Sequence, residues 1–248
     1  MLILLPSSKT IDTNLNNLYS KSFKPIFLDE SNKLVQILKS KNKNEISRIL
    51  KTNSKISELN YNRYQNWDID HNKSNSKQAI FSFLGMVYKS FNFSNYVAKD
   101  FENLQNKLRL LSGLYGILKP LDLIQPYRLE MSTKFDDINL YDFWTEKITN
   151  SINEECNDFI VNLASKEYSD VINFYKLKCR IITPIFKDFS NGKFKIVAVY
   201  AKKARGAMAD YIIRNDINSE YEIKKFNLNG YIYDKLSSTK KEFVFLRN

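Results

Sequence analysis

Histidine occurs once in this 248-residue chain, at His71, and cysteine twice, at Cys156 and Cys179. One histidine and two cysteines without ligand-like spacing do not make a His/Cys zinc site. A Ser-His-Asp triad would need His71 itself, and His71 lies in a polar stretch, 68–75, that reads as a solvated loop. The two cysteines read as reduced thiols. No metal site and no cofactor is therefore expected, although a carboxylate-only iron site stays open. Six Gly and five Pro argue against a loop-rich or linker-repeat architecture. Nothing approaches the run of about 20 apolar residues that crosses a bilayer. Leu2–Leu5 is too short for a secretory signal, and no basic region precedes it. A cytoplasmic location without a membrane partner is expected.

What is abundant is apolar and basic. Hydrophobic residues make up 43% and aromatics 14%, enough for a packed core. The length suits one domain over 1–248, helix-rich to about 157 and sheet-rich from about 158. The net charge of +11 attracts phosphates and other anions. Most of the 38 basic residues are Lys, and Asn and Ile are also frequent, as an AT-rich coding sequence would give. Where the charge sits is thus more informative than its total.

Leu2–Leu5, closed by Pro6, reads as a buried strand leading into the polar loop Ser7–Thr10. From about 29 to 60, apolar residues at helical spacing predict two amphipathic helices around the joint Ser40–Asn44, with Ser54 capping a further turn. More helices are expected over Lys77–Tyr88, Lys99–Leu111, Leu140–Cys156 (capped by Asn139) and about Lys202–Asn215. Strand-like runs cover Phe159–Ala164, Cys179–Thr183, Lys193–Tyr200 and Glu242–Leu246, and Asn191-Gly192 fits a hairpin turn. The fold class is α+β, a mixed sheet with packed helices.

Two segments stand out chemically. In Tyr200–Met208 the cations Lys202, Lys203 and Arg205 fall at an expected strand-to-helix junction, where they oppose the helix dipole unless they hold an anion. Lys202 and Arg205, three apart, share a helix face. The stretch from Lys176 to Arg214 has ten basic and two acidic residues, +8 of the +11 total. A solvated basic face is the bland alternative. The second segment is Leu111–Arg128, where Gly113 and Gly116 could bring backbone N–H groups to a phosphate, with Lys119 just beyond. It is like a helix-hairpin-helix element, although the glycines are three apart and Pro120 shortens any second helix; a plain helix C-cap is the alternative. Arg128 beside Tyr127 suits a phosphate or a base, or else pairs with Glu130. Asp142, Asn162 and Glu167 form no acid/base pair by spacing.

Taken together, 111–131, 139–144 (Asn-Leu-Tyr-Asp-Phe-Trp), 162–168 (Asn-Leu-Ala-Ser-Lys-Glu-Tyr) and 200–206 (Tyr-Ala-Lys-Lys-Ala-Arg-Gly) resemble the YaaA family of bacterial peroxide stress proteins. Met1–Leu4 with Lys9-Thr10, and Asn229-Gly230-Tyr231, extend the likeness along the chain. The resemblance implies a cytoplasmic protein that limits iron-driven peroxide damage. It also implies a mixed α/β fold with a positively charged cleft and a helix-hairpin-helix, over about Leu104–Arg128 here, and an association with duplex DNA. The cleft would draw on Lys9, Lys202, Lys203 and Arg205. The chain departs from the family pattern at Pro6-Ser7-Ser8, at Met86 where an Asp is usual, and at Asp210 where an Arg is usual.

The leading expectation is a nucleic-acid partner, bound by its backbone through Lys9, Gly113, Gly116, Lys119, Arg128, Lys202, Lys203 and Arg205. Four to six neutralised phosphates would give a log–log salt slope of roughly −4 to −5. The alternative is an enzyme acting on a small phosphorylated or nucleobase-like ligand in the same basic pocket, with Glu130 or Asp142 as acid/base.

Overall fold

The computed structural model describes residues 1–15 and 19–248. Its centre is strand β1, Leu2–Pro6, whose Leu and Ile side chains are all buried. A strand flanked on both sides must be apolar on both faces, and β1 has β2 (Leu108–Ser112) on one side and β4 (Phe159–Asn162) on the other, both parallel to it. Strand β3 (Gly116–Leu118) folds back antiparallel on β2. Beyond β4 the long strand β5 (Arg180–Ser190) runs parallel to it. Strand β6 (Lys193–Lys195) closes a hairpin with β5, and β7 (Ile232–Tyr233) and β8 (Glu242–Arg247) complete the sheet, in the order β7-β8-β5-β4-β1-β2-β3.

The helices of eight residues or more among the described residues are α1 (Leu28–Lys39), α2 (Lys43–Leu50), α3 (Ser54–Asn66), α4 (Ala98–Lys107), α5 (Leu140–Glu155) and α6 (Ala198–Arg214). The joint between α1 and α2 lies where the sequence places it. Asn42 caps α2, accepting the Asn44 and Glu45 amides at 3.0 Å while Glu45 accepts the Asn42 amide at 2.7 Å, a reciprocal capping box. Asn53, not Ser54, caps α3, and Asn139 caps α5 as expected. At the β5–β6 hairpin Asn191 and Gly192 both take positive φ, 53° and 76°, as a two-residue primed turn requires. One cluster of buried apolar side chains runs from Leu2 to Phe245 through both halves of the chain.

Several expectations are corrected. The run Lys77–Tyr88 is not one helix. Lys77–Gln78 pairs with Leu123–Ile124, Ala79–Ser82 makes one helical turn, and Phe83–Leu84 pairs with Thr10–Ile11. Ala79 to Phe83 are all buried, so no amphipathic face exists to hold a longer helix. The helix predicted over Lys99–Leu111 stops at Lys107 and its last leucines become β2, because an unbroken buried run beside β1 favours a central parallel strand. The helix-hairpin-helix expected around Gly113 is therefore the β-hairpin β2–β3. The strand predicted to Tyr200 ends at Lys195, and α6 begins at Ala198.

Candidate functional site

Along the sheet, the chain leaving β1 returns one strand to one side as β2, whereas the chain leaving β4 moves one strand to the other side as β5. Connections that diverge from neighbouring parallel strands open a crevice over their carboxyl ends, the usual ligand position in open α/β sheets. A cavity of about 350 Å³ lies there, bordered by Ser7–Thr10 after β1, by Glu167 and Tyr168 after β4, by Gly85–Tyr88, and by Lys202 and Arg205 of α6.

The loop after β1 is held from three directions. The Ser7 amide donates to the Leu111 carbonyl at 2.8 Å, extending the β1–β2 ladder. The Tyr88 hydroxyl donates to the Pro6 carbonyl at 2.7 Å, and Ser8 Oγ donates to the Leu84 carbonyl. Ser7 Oγ donates to the Tyr168 hydroxyl oxygen at 3.3 Å. Deeper, the Tyr127 and Ser112 hydroxyls lie 2.6 Å apart. Burial pushes Tyr127 up to about 12, although hydrogen bonds to Ser112 and Ser7 oppose the rise. Burial also raises Tyr88 and Tyr168. Apart from Glu167, whose Oε1 accepts from Ser132 Oγ at 2.8 Å, the polar wall is made of neutral phenols and serine hydroxyls, which orient a polar ligand without adding charge.

The positive charge comes from three side chains. Lys9 Nζ lies 3.1 Å from Glu130 Oε1. The same oxygen is held by Arg128, from Nε at 3.1 Å and Nη2 at 3.0 Å. Lys202 is exposed, and among the described residues it pairs with no carboxylate. Arg205 is half-buried, burial lowers its pKa, and among the described residues its guanidinium also has no carboxylate or hydrogen-bond partner. An arginine gives up hydration to sit in a pocket wall only at a cost, which a bound anion would offset. The first turn of α6, Ala198–Ala201, carries no charge, and the cations fall in the second turn. Opposition to the helix dipole, which fades after the first turn, therefore matters less here than the unpaired arginine.

The eight sequence-chosen residues do not form one surface. Lys9, Lys202 and Arg205 converge on the pocket, and Lys202 and Arg205 share a face as their spacing predicts. Arg128 stands behind Lys9, joined through Glu130. Lys203 faces a second cavity on the other side of α6. Lys119 is at the opposite end of β2, 3.6 Å from Glu155, which also binds Arg109. Gly113 and Gly116 are buried: a Cβ on Gly113 would lie 2.3 Å from the Leu129 carbonyl oxygen, and one on Gly116 2.7 Å from the Trp144 ring. The hairpin amides of Leu114 and Tyr115 already donate to Ser112 Oγ, at 3.2 and 2.9 Å. The hairpin thus holds its Leu114 and Tyr115 amides inward instead of presenting them to a ligand. The basic stretch 176–214 is also dispersed, Arg180 pairing with Glu220 while Lys193 and Lys195 project from the β5–β6 hairpin.

Sequence reasoning missed Ser7, Tyr88 and Tyr168 as wall residues. The rule that loops after parallel strands build sites would have found Ser7; nothing in the sequence marks Tyr88, and Tyr168 comes to the cavity through the sheet order. His71 is corrected as well: it is buried, not solvated. The Tyr115 hydroxyl oxygen accepts from Trp67 Nε1 at 3.0 Å and from the Gln125 amide at 3.1 Å, leaving its own proton for His71 Nε2 at 2.9 Å. Burial lowers His71 to about 4. Among the described residues no group of three or more His, Cys, Asp or Glu could hold a metal ion, and no helix is long and apolar enough to cross a membrane.

The model of the peroxide stress protein YaaA family matches residues 1–236, which take in every residue of the pocket. The chain belongs to the YaaA peroxide stress protein family. Among its relatives, UPF0246 proteins of Shewanella sp. strain W3-18-1 and Shewanella baltica strain OS223 are each 42% identical, covering 100% of this chain and 99% of the relative. A UPF0246 protein of Shewanella pealeana is 41% identical over the same shares. The likeness to these relatives extends over the whole chain, with the pocket inside it.

Proposed function

We propose that this protein serves in the response to peroxide stress, and that its working step is to grip a phosphate group between Lys9, Lys202 and Arg205. The observation that carries the proposal is Arg205: a half-buried guanidinium with no carboxylate partner among the described residues, facing a cavity at the sheet's switch point. Membership of a family described by peroxide stress supplies the physiological setting. The cavity's volume of about 350 Å³ falls in the range of roughly 300–1,000 Å³ that takes small ligands. A small phosphorylated molecule is the ligand class that fits best, held in the cytoplasm where such molecules are plentiful.

A nucleic-acid backbone is the second reading, favoured by the exposed Lys202 at the pocket and the exposed Lys203 and Lys89 at the cavity on the other side of α6. With three cations converging, its log–log salt slope would be roughly −3, since each neutralised phosphate contributes about −0.9.

Titration of the protein with inorganic phosphate and with a short duplex of scrambled sequence, at several salt concentrations, tests both. Saturable phosphate binding that Arg205→Gln weakens at least tenfold supports the pocket. Peroxide survival of cells carrying only Arg205→Gln should match that of cells lacking the protein. Unchanged phosphate binding and full survival in that variant would end the proposal.

A further inference from the structure

Helix α6 borders two cavities, and the turn Met86–Ser90 lies between them. At about 100° per residue, Lys202 and Arg205 fall on one side of Gly206, and Lys203, Ala207 and Asp210 on the other. The turn seats on Gly206 itself. Ser90 Oγ donates to the Lys203 carbonyl at 3.0 Å, and the Val87 carbonyl is so close that a Cβ on Gly206 would lie 2.0 Å from its oxygen. On the far side is a cavity of about 600 Å³ bordered by Lys89, Lys203 and Asp210. Met86 borders both cavities, so they meet at the end of the turn that carries a flexible apolar side chain.

The two sides differ in chemistry. The near side offers cations and hydroxyls, with one carboxylate, Glu167, which already accepts from Ser132. The far side adds Asp210, which is fixed in place: its Oδ1 accepts from the Tyr96 hydroxyl at 2.7 Å, and the Asn92 backbone also bonds to it. An ionised carboxylate has about four acceptor positions, so Asp210 keeps room for a donor from the cavity. Lys89 and Lys203 beside it have no carboxylate partner among the described residues.

Resting on the phosphate pocket proposed above, we propose that the two cavities form one bipartite site for a phosphorylated sugar, free or within a nucleotide. The phosphate lies with Lys9, Lys202 and Arg205. The sugar or base crosses Met86, and a hydroxyl or amino group on it donates to Asp210. Asp210 is then the residue that separates such a ligand from bare phosphate.

Calorimetric titrations with inorganic phosphate, ribose 5-phosphate and adenosine 5′-monophosphate test this on the full chain. At least one organic phosphate should bind ten times more tightly than inorganic phosphate. Asp210→Asn should abolish that advantage and leave inorganic phosphate unaffected, while Arg205→Gln should weaken all three. Asp210→Asn keeps an oxygen that can accept from Tyr96, whereas Tyr96→Phe removes that hydrogen bond and spares the carboxylate, so Tyr96→Phe should keep the advantage. Organic phosphates that bind no better than inorganic phosphate, an advantage that survives Asp210→Asn, or one lost in Tyr96→Phe would overturn the bipartite site and leave the phosphate pocket standing. Inorganic phosphate binding that Arg205→Gln leaves intact, or no binding of any probe, would overturn the pocket itself.

Discussion

Gly206 holds helix α6 against Val87 at a separation that no side chain could occupy: a Cβ there would lie 2.0 Å from the Val87 carbonyl oxygen and 2.9 Å from Ser90 Cβ. Backbone atoms cannot turn aside as a side-chain end can, so helix and turn would have to part. Gly206→Ala should cost roughly 1–3 kcal/mol by overpacking. It should also weaken phosphate binding, because Met86–Tyr88 and Arg205 line the same pocket. Denaturant midpoints and phosphate titration measure the two effects. Wild-type values for both would mean that the contact positions nothing.

Lys9 and Arg128 share one carboxylate oxygen of Glu130, which is almost fully buried. Glu130→Gln keeps the shape and removes the charge. Hydrogen bonds to charged groups contribute about 1.5–3 kcal/mol, so stability should fall within that range. Phosphate affinity should rise, because Lys9 loses its competing carboxylate. Chemical unfolding read beside phosphate titration separates the two, and lower affinity in the variant would show that Glu130 positions Lys9 for the anion.

Two buried groups give opposite pH dependence in the same window. His71 is lowered to about 4 from 6.5, so its contribution is present above about pH 6.5 and is lost as pH falls through about 4. Asp122 is raised by burial to about 7 from 3.8, so its contribution is present below about pH 4 and is lost as pH rises through about 7. The two slopes oppose each other in the wild type. His71→Gln should expose the Asp122 slope, with stability falling from pH 4 to 7. Asp122→Asn should expose the His71 slope, with stability rising by up to about 3 kcal/mol across that range. Urea midpoints measured at half-unit pH steps check both signs.

The sequence carried more of the fold than of the site. Strand β1, the α1–α2 joint, the Asn139 cap and the Asn191-Gly192 turn each rest on local chemistry, and each lies where it was expected. The errors came where tertiary packing overrode local pattern. Leu108 and Leu111 keep helical spacing with Phe101 and Leu104, but a place beside β1 makes them strand residues. Gly113 and Gly116 look like a phosphate loop because an exposed glycine and a buried one are alike in sequence. Only the packing of Leu129 and Trp144 on them shows which they are. His71 sits in a polar stretch whose bonds turn inward, its ring to Tyr115 and the Asp68 amide to Gln125. In the site, Lys202 and Arg205 were legible from their spacing. Tyr168 and Glu167 reach the same cavity only through the sheet order, which one sequence does not display.

The most direct measurement is a crystal structure of the protein soaked in tungstate, a phosphate mimic visible by its anomalous scattering. The account requires a tungstate in the β1–β4 pocket within hydrogen-bond reach of the Arg205 guanidinium, flanked by Lys202 and Lys9, and absent in Arg205→Gln. Tungstate found only elsewhere, such as against Lys193 and Lys195 on the β5–β6 hairpin, with the Arg205 pocket empty, would contradict it.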